Sequence, residues 1–135
     1  MWSYLSKLLI AGNVGIMVFF TVAVAPTIFT ALPPQWSAAY VRKFFPKYFL
    51  FLAVTTAAAA ALEMVSGVDG IRLSALVACT LIFFFNCFWL TPRINQARDD
   101  KQPSVFKALH WLSVGFNMVQ LVVLIWLLIP AGRAP

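Results

Sequence analysis

The sequence predicts an all-α integral membrane protein, a four-helix bundle with a short amphipathic helix between helices 1 and 2. Its composition is the first reason. Of 135 residues, 62% are hydrophobic and 10% are charged, whereas soluble domains average about 45–50% and about 25%. The second reason is that the apolar residues form four runs long enough to cross a bilayer, which takes about 20 residues of helix. We therefore expect a single transmembrane domain over residues 1–135.

The predicted membrane spans are four mostly apolar segments, of which the second is uncharged only from Tyr48 to Leu62. They cover residues 8–32, 44–66, 71–92 and 109–129. Although Ala23-Val24-Ala25 fits the small-x-small pattern of a signal-peptide cleavage site, Pro26 follows it directly. We therefore expect the first span to be retained. Glu63, at the far end of the second span, is expected to be solvated at the interface; the alternative is that Glu63 and His110 are opposite ends of a proton path.

Between the first two spans lies a segment with helical periodicity. Pro33-Pro34 is a typical helix start, and Trp36, Tyr40 and Phe44 follow at spacings of four. These three aromatic residues share one helix face. The face either lies in the membrane interface, with basic neighbours toward lipid phosphate, or packs over the mouth of the bundle.

Lysine and arginine residues concentrate on one side of the predicted bundle. The two long connections, between spans one and two and between spans three and four, carry seven of them: Arg42, Lys43, Lys47, Arg93, Arg98, Lys101 and Lys107. The opposite side has Lys7, Arg72 and Arg133. By the positive-inside rule the long connections are expected in the cytoplasm and both termini outside. In a bacterium this means the inner membrane.

The net charge of +6 does not indicate nucleic-acid binding. Its basic residues lie near the ends of apolar runs, and no basic stripe of the kind found in nucleic-acid-binding proteins is present. The lipid bilayer is the expected partner. Small-residue patterns, Ala11-x-x-x-Gly15 in the first span and Ala57 to Ala61 in the second, allow close helix approach. They are expected to pack the bundle, and they leave a homodimer or a larger membrane complex open.

Polar residues within the spans are the candidates for function, because burying them in lipid is costly. On the fourth span, His110, Ser113, Asn117 and Gln120 recur at steps of three and four, so they project from one helix face. Leu112, Val119, Val122 and Trp126 occupy the other faces. The polar stripe is either an internal seam that joins helices or a site for a ligand, proton or cofactor.

The expected cytoplasmic side also gathers the prolines of the spans. Pro26, Pro46 and Pro92 each lack a backbone donor, which membranes tolerate where neighbours or water satisfy the freed carbonyls. We therefore predict a polar pocket at this mouth. The ligand-binding candidates are His110, Ser113, Asn117, Gln120, Arg93, Asn95, Asn86 and Asn13.

Catalytic and metal sites have no support in the sequence. No nucleophile-base pair, nucleotide-binding loop, paired acids or metal spacing is present. Cys79 and Cys87 are expected to be buried packing residues, and with a single His they make no recognisable metal-ligand set. One His cannot supply both axial ligands of a haem within one chain. The cofactor is left unknown, and we assign no catalytic residue.

Several segments together resemble a known family. They are Gly15 to Phe20, Ala25-Pro26-Thr27-Ile28-Phe29, Phe44-Phe45-Pro46-Lys47-Tyr48, Pro92-Arg93-Ile94-Asn95, Leu109 to Ser113 and Asn117 to Gln120. In this order they look like the four-helix membrane family of unknown function (domain of unknown function 4149) that includes transmembrane protein 205. The resemblance implies a four-helix membrane protein of unsettled biochemistry and supplies no reaction.

Three functions are compatible with the sequence. The leading hypothesis is a membrane protein that binds or moves a small solute, ion or proton through the polar seam on helix 4, as a homo-oligomer. The second is a membrane oxidoreductase with haem or quinone, suggested by 21 aromatic residues (13 Phe, 5 Trp and 3 Tyr) and the single His. The third is an accessory or structural subunit of a larger membrane complex.

Overall fold

A computed structural model describes residues 1–130, and all its regular structure is helical. The fold consists of four long helices: α1 (Trp2–Ala31), α2 (Pro34–Ser66), α3 (Gly70–Asp99) and α4 (Pro103–Leu128). Each is long and apolar enough to cross a membrane. The predicted four-helix bundle is thus confirmed, and the chain is an integral membrane protein.

The helices form a closed ring in which each packs against two neighbours. α1 contacts α2 and α4, and α3 also contacts α2 and α4. The centre is filled by large apolar side chains with no exposed surface: Met17, Leu52, Phe83, Leu90 and Leu124. Val119 and Val122 are more than half exposed on the outer face of α4, as the periodicity of that helix predicts. This face is the one that a bilayer would cover.

Chain connectivity places the two basic connections at the same end of the bundle. There Arg42 of α2 forms a bidentate ion pair with Asp99 of α3, at 2.7 and 2.5 Å. At the opposite end α2 terminates at Gly67, whose φ of 71° is the left-handed conformation that favours glycine. Asp69 then caps the start of α3 through its side chain. Which end faces the cytoplasm remains a prediction from the charge count.

The amphipathic segment is helical, but it is not the separate short helix that the sequence predicts. It forms the first three turns of α2, which runs without a break from Pro34 through Pro46. Proline interrupts only the hydrogen bond to the preceding turn, and no other helix breaker follows it there. Trp36 is 60% exposed, whereas Phe44 stacks on Phe20 at 5.0 Å. The stripe therefore faces outward at its start and packs on the bundle at its end.

Two π-helical turns lie in α1 and α3. They span Phe20–Val24 and Asn86–Leu90, each just before a proline, Pro26 or Pro92. The wider turn accommodates the proline without ending the helix, so α3 continues to Asp99 rather than stopping at residue 92 as predicted. Turns of this kind occur frequently at functional sites.

The small residues of the first two spans have different surroundings. Ala59 and Ala60 are buried, and the Ser6 hydroxyl donates to the Ala59 carbonyl at 3.2 Å across the α1–α2 contact. Ala11 and Gly15 are exposed on the outer face of α1, so they do not pack the bundle. The homo-oligomer stays a prediction.

Candidate functional site

All four helices line a cavity at the end of the bundle that holds the two basic connections. Its volume is about 260 Å³. Six aromatic side chains line it: Phe20, Phe29, Phe45, Tyr48, Phe49 and Phe106. Seven polar residues also line it: Thr21, Thr91, Asn95, Arg98, His110, Ser113 and Asn117. We call this space the His110 cavity.

The periodicity of α4 explains how its polar residues reach the cavity. His110, Ser113 and Asn117 are spaced by three and four residues, so they lie above one another on one face and line the wall together. His110 is half-buried nearest the start of the helix, with its ring stacked on Phe106 at a centroid distance of 5.9 Å. The structure therefore brings together three of the four residues of the predicted stripe.

The π turns position residues of α1 and α3 around the same cavity. Phe20 and Thr21 lie within the first of these turns, and Thr91 directly follows the second. All three line the cavity. The two helices that carry a π turn therefore shape this cavity from opposite corners of the ring.

Gln120 and Asn86 join α3 to α4 and lie outside the cavity wall. Gln120 Nε2 donates to the Cys79 carbonyl at 2.9 Å, and its buried Oε1 has no partner among residues 1–130. The Ser113 hydroxyl donates to Asn86 Oδ1 at 3.2 Å, and Asn86 Nδ2 donates to the Ile82 carbonyl at 3.1 Å. The Gln120–Cys79 and Ser113–Asn86 hydrogen bonds thus hold α3 and α4 together.

Two buried polar atoms of the cavity wall lack a hydrogen-bond partner among residues 1–130: the Tyr48 hydroxyl and Asn117 Oδ1. The two side chains lie near each other across the α2–α4 wall without forming a hydrogen bond of normal geometry. A buried polar group without a partner is unfavourable. Both residues line the cavity, so a donor and an acceptor on a ligand are the groups that would satisfy these two atoms.

Arg98, rather than Arg93, lines the cavity. Arg98 follows Asn95 by three residues and shares its helix face, because α3 continues beyond Pro92. Arg93 instead lies over the ring of Trp89 at 4.8 Å, on an exposed face of the helix. Of these two predicted site residues, the structure thus places Asn95 at the cavity and Arg93 outside it.

Asn13 lies in a different polar cluster, between α1 and α2. Its Nδ2 donates to Thr56 Oγ1 at 2.9 Å, and its Oδ1 accepts from Thr55 Oγ1 at 2.9 Å. Both ends of the amide are satisfied within the protein. Asn13 is therefore placed as a helix-joining residue, apart from the His110 cavity.

Sequence reasoning missed Tyr48, Arg98 and the aromatic wall. Phe45, Tyr48 and Phe49 recur at steps of three and four, a signal for one helix face that was available in the sequence. The rings of Phe45 and Tyr48 both contact Phe20 of α1, at 5.5 and 5.1 Å. Their position at a cavity, however, depends on how α2 meets α1 and α4.

The structure also tests the expectations for Glu63 and for the two cysteines. Glu63 is only 7% exposed, so the expectation that it is solvated at the interface is wrong. Cys79 and Cys87 are free and buried, as predicted for packing residues. Within residues 1–130 there is no group of three or more His, Cys, Asp or Glu side chains that could hold a metal ion.

The chain matches a known protein family. A family model described as a domain of unknown function (DUF4149) matches residues 8–103, which confirms the predicted resemblance over α1, α2 and α3. The relation to transmembrane protein 205 stays a prediction. His110, Ser113 and Asn117 lie beyond the matched residues. Neither the curated proteins nor the solved structures include a match to the chain.

Proposed function

We propose that this chain, which belongs to the family of the domain of unknown function (DUF4149), binds a small, mostly apolar molecule that carries a hydroxyl group. The observation that carries the proposal is the unpartnered pair of buried atoms, the Tyr48 hydroxyl and Asn117 Oδ1, in the wall of an aromatic cavity. A hydroxyl group donates one hydrogen bond and accepts others. It would therefore serve both atoms at once.

The size and walls of the cavity define the class of molecule. An apolar cavity of about 150 Å³ holds benzene, so about 260 Å³ suits one or two fused rings. Aromatic walls favour an aromatic ligand, since each well-placed ring pair adds about 0.5–1.5 kcal/mol. Apolar walls with a few convergent polar groups are typical of small-molecule sites.

The polar contacts favour binding over passage through the bundle. A path along the α4 stripe would have to continue from Asn117 to Gln120, but the Gln120 amide is held by the Cys79 carbonyl. Beyond it, Leu124 is completely buried and Leu127 nearly so. In this arrangement the seam ends at Asn117, which supports a binding site that opens at one end of the bundle.

A binding comparison with 2-naphthol and naphthalene tests the proposal. The two probes share a ring system and differ in the hydroxyl group, so equilibrium dialysis against protein-free micelles separates specific binding from partition into detergent. We expect 2-naphthol to bind roughly fivefold to a hundredfold more tightly than its relative partition predicts, because two hydrogen bonds add about 0.5–1.5 kcal/mol each.

Variants of the protein complete this test. Asn117→Leu removes the buried acceptor at similar volume and should reduce the advantage of 2-naphthol over naphthalene, and the double variant with Tyr48→Phe should abolish it. The matched control Val119→Ala lies on the exposed face of the same helix and should retain that advantage. Equal corrected affinities for the two probes in the unmodified protein would refute the proposal.

A further inference from the structure

A second cavity lies at the opposite end of the bundle from the His110 cavity. Its volume is about 270 Å³, and residues of all four helices or their ends line it. Three charged residues, Lys7 of α1, Glu63 of α2 and Arg72 of α3, lie in its wall together with Ser3, Leu127 and Pro130. We call this space the Glu63 cavity.

Glu63 is the feature of this cavity that calls for a ligand. It is 93% buried, since only 7% of its surface is exposed. Within residues 1–130 it has neither a hydrogen-bond nor an ion-pair partner; the ion pair found there is Arg42–Asp99. The Glu63 carboxylate oxygens are not among the fully enclosed atoms without a partner, so they open onto the cavity, where a cation or several donors can pair with them. The cavity beside Glu63 provides space for such a group.

The two cations of the cavity do not pair with Glu63. The Arg72 guanidinium is held elsewhere: Nη2 donates to the Leu127 and Ile129 carbonyls at 2.5 and 2.9 Å, and the group lies over the Trp126 ring at 5.0 Å. Lys7 is half-buried on the neighbouring helix. Neither cation approaches the Glu63 carboxylate within 4.0 Å. The cavity therefore separates one negative group from two positive ones.

We propose that the Glu63 cavity binds a zwitterion, with its ammonium group at Glu63 and its anionic group between Lys7 and Arg72. An ammonium group offers three donors to the carboxylate. The unused donors of the Arg72 guanidinium and the Lys7 ammonium suit a phosphate or carboxylate. This chemistry is shared by the phosphoethanolamine head group of a lipid and by small soluble zwitterions. The site is independent of the proposed function of the His110 cavity.

Calorimetric titration of the full-length protein in detergent tests the proposed chemistry. The probes are glycerophosphoethanolamine, which carries both charges, ethanolamine, which carries only the ammonium group, and glycerol 3-phosphate, which carries only the anion. We expect the zwitterion to bind at least tenfold more tightly than either single-charge probe. Equal binding of ethanolamine or of glycerol 3-phosphate would overturn the proposal, because only one pole would then be recognised.

Two substitutions in the Glu63 cavity test the ammonium and the anionic contacts of the zwitterion separately. Glu63→Gln should lower the affinity for glycerophosphoethanolamine at least tenfold and leave that for glycerol 3-phosphate unchanged. Lys7→Met should weaken both anionic probes, and it keeps the proposal testable if the Glu63 variant does not fold. Asp99→Asn, an acid at the other end of the bundle, is the matched control and should change neither affinity. A Glu63→Gln protein that folds and binds the zwitterion normally would refute the assignment.

Native mass spectrometry distinguishes the two sources of the zwitterion. The protein is released from nanodiscs that contain equal amounts of phosphatidylethanolamine and phosphatidylglycerol. Selective retention of phosphatidylethanolamine, lost in Glu63→Gln, would identify a lipid ligand. Binding of glycerophosphoethanolamine without retained lipid would identify a soluble one. Absence of both signals would overturn the site.

Discussion

The side chain of Asn13 in α1 donates a 2.9 Å hydrogen bond to the Thr56 hydroxyl in α2, at a point where both residues are buried. Within a membrane such bonds between helices average about 0.6 kcal/mol, with a maximum near 1.7. This contact couples the two helices that also provide much of the aromatic wall of the His110 cavity.

The Asn13–Thr56 bond predicts non-additive stability changes. We expect a double-mutant cycle of Asn13→Ala and Thr56→Val, measured as the free energy of unfolding in SDS, to give a coupling of about 0.6 kcal/mol. Thr30→Val is a suitable control, since the Thr30 hydroxyl is exposed and bonds within its own helix. Strictly additive effects of the two substitutions would show that the bond contributes nothing.

The Arg42–Asp99 ion pair predicts a small, salt-sensitive contribution. Both side chains are nearly half exposed, and exposed pairs of this kind contribute little to stability. We expect Asp99→Asn to lower the free energy of unfolding only slightly at low salt. At 1 M salt, where the screening length is about 3 Å, the loss should shrink toward zero. The control is Asp100→Asn, and a loss that persists at 1 M salt would contradict the assignment.

Two polar residues of the His110 cavity predict opposite effects on stability. Ser113→Ala removes the donor to Asn86 Oδ1, so we expect a loss of about 1 kcal/mol in the free energy of unfolding. Tyr48→Phe removes a hydroxyl that has no partner within residues 1–130, so the ligand-free protein should be equally or more stable. Thermal unfolding without ligand gives both values. A clear destabilisation by Tyr48→Phe would mean that its hydroxyl is already satisfied.

Replacing the proline after a π turn is predicted to raise stability and to weaken ligand binding. Pro92→Ala restores a backbone donor within α3, and we expect the free energy of unfolding to rise by about 1 to 3 kcal/mol. The restored hydrogen bond would favour ordinary α-helical geometry at Asn86–Leu90 and rotate the residues that follow. Binding of 2-naphthol should then weaken, because Asn95 would leave the wall. Higher stability with unchanged binding would show that the π turn does not shape the site.

Periodicity and hydropathy predict the helices well because they depend on local sequence. The stripe of His110, Ser113 and Asn117 on α4 follows from helical geometry alone. The role of Gln120 does not follow from helical geometry. One turn beyond Asn117, the same face of α4 no longer lines the cavity and instead contacts α3. Its partner, the Cys79 carbonyl, is a backbone group that no residue pattern identifies.

The other differences between the predicted and the observed site residues arise from how the helices pack against one another. Hydropathy ends the third span at Pro92 and predicts Arg93 at the mouth of the bundle, but the π turn lets α3 continue and brings Arg98 to the cavity instead. Glu63 lies at the boundary of its span by hydropathy, whereas its burial depends on the approach of α1 and α3. The grouping of Lys7, Glu63 and Arg72 therefore required the tertiary structure.

The most direct test of the central claim is an anomalous diffraction measurement on crystals soaked with 6-bromo-2-naphthol. The bromine atom marks the position of the ring system, and the electron density defines its orientation. We expect a single bromine peak in the His110 cavity, with the hydroxyl oxygen within hydrogen-bond distance of Asn117 Oδ1 and the Tyr48 hydroxyl. A bromine peak only on the lipid-facing surface, with the cavity free of ligand density, would contradict the proposed binding function.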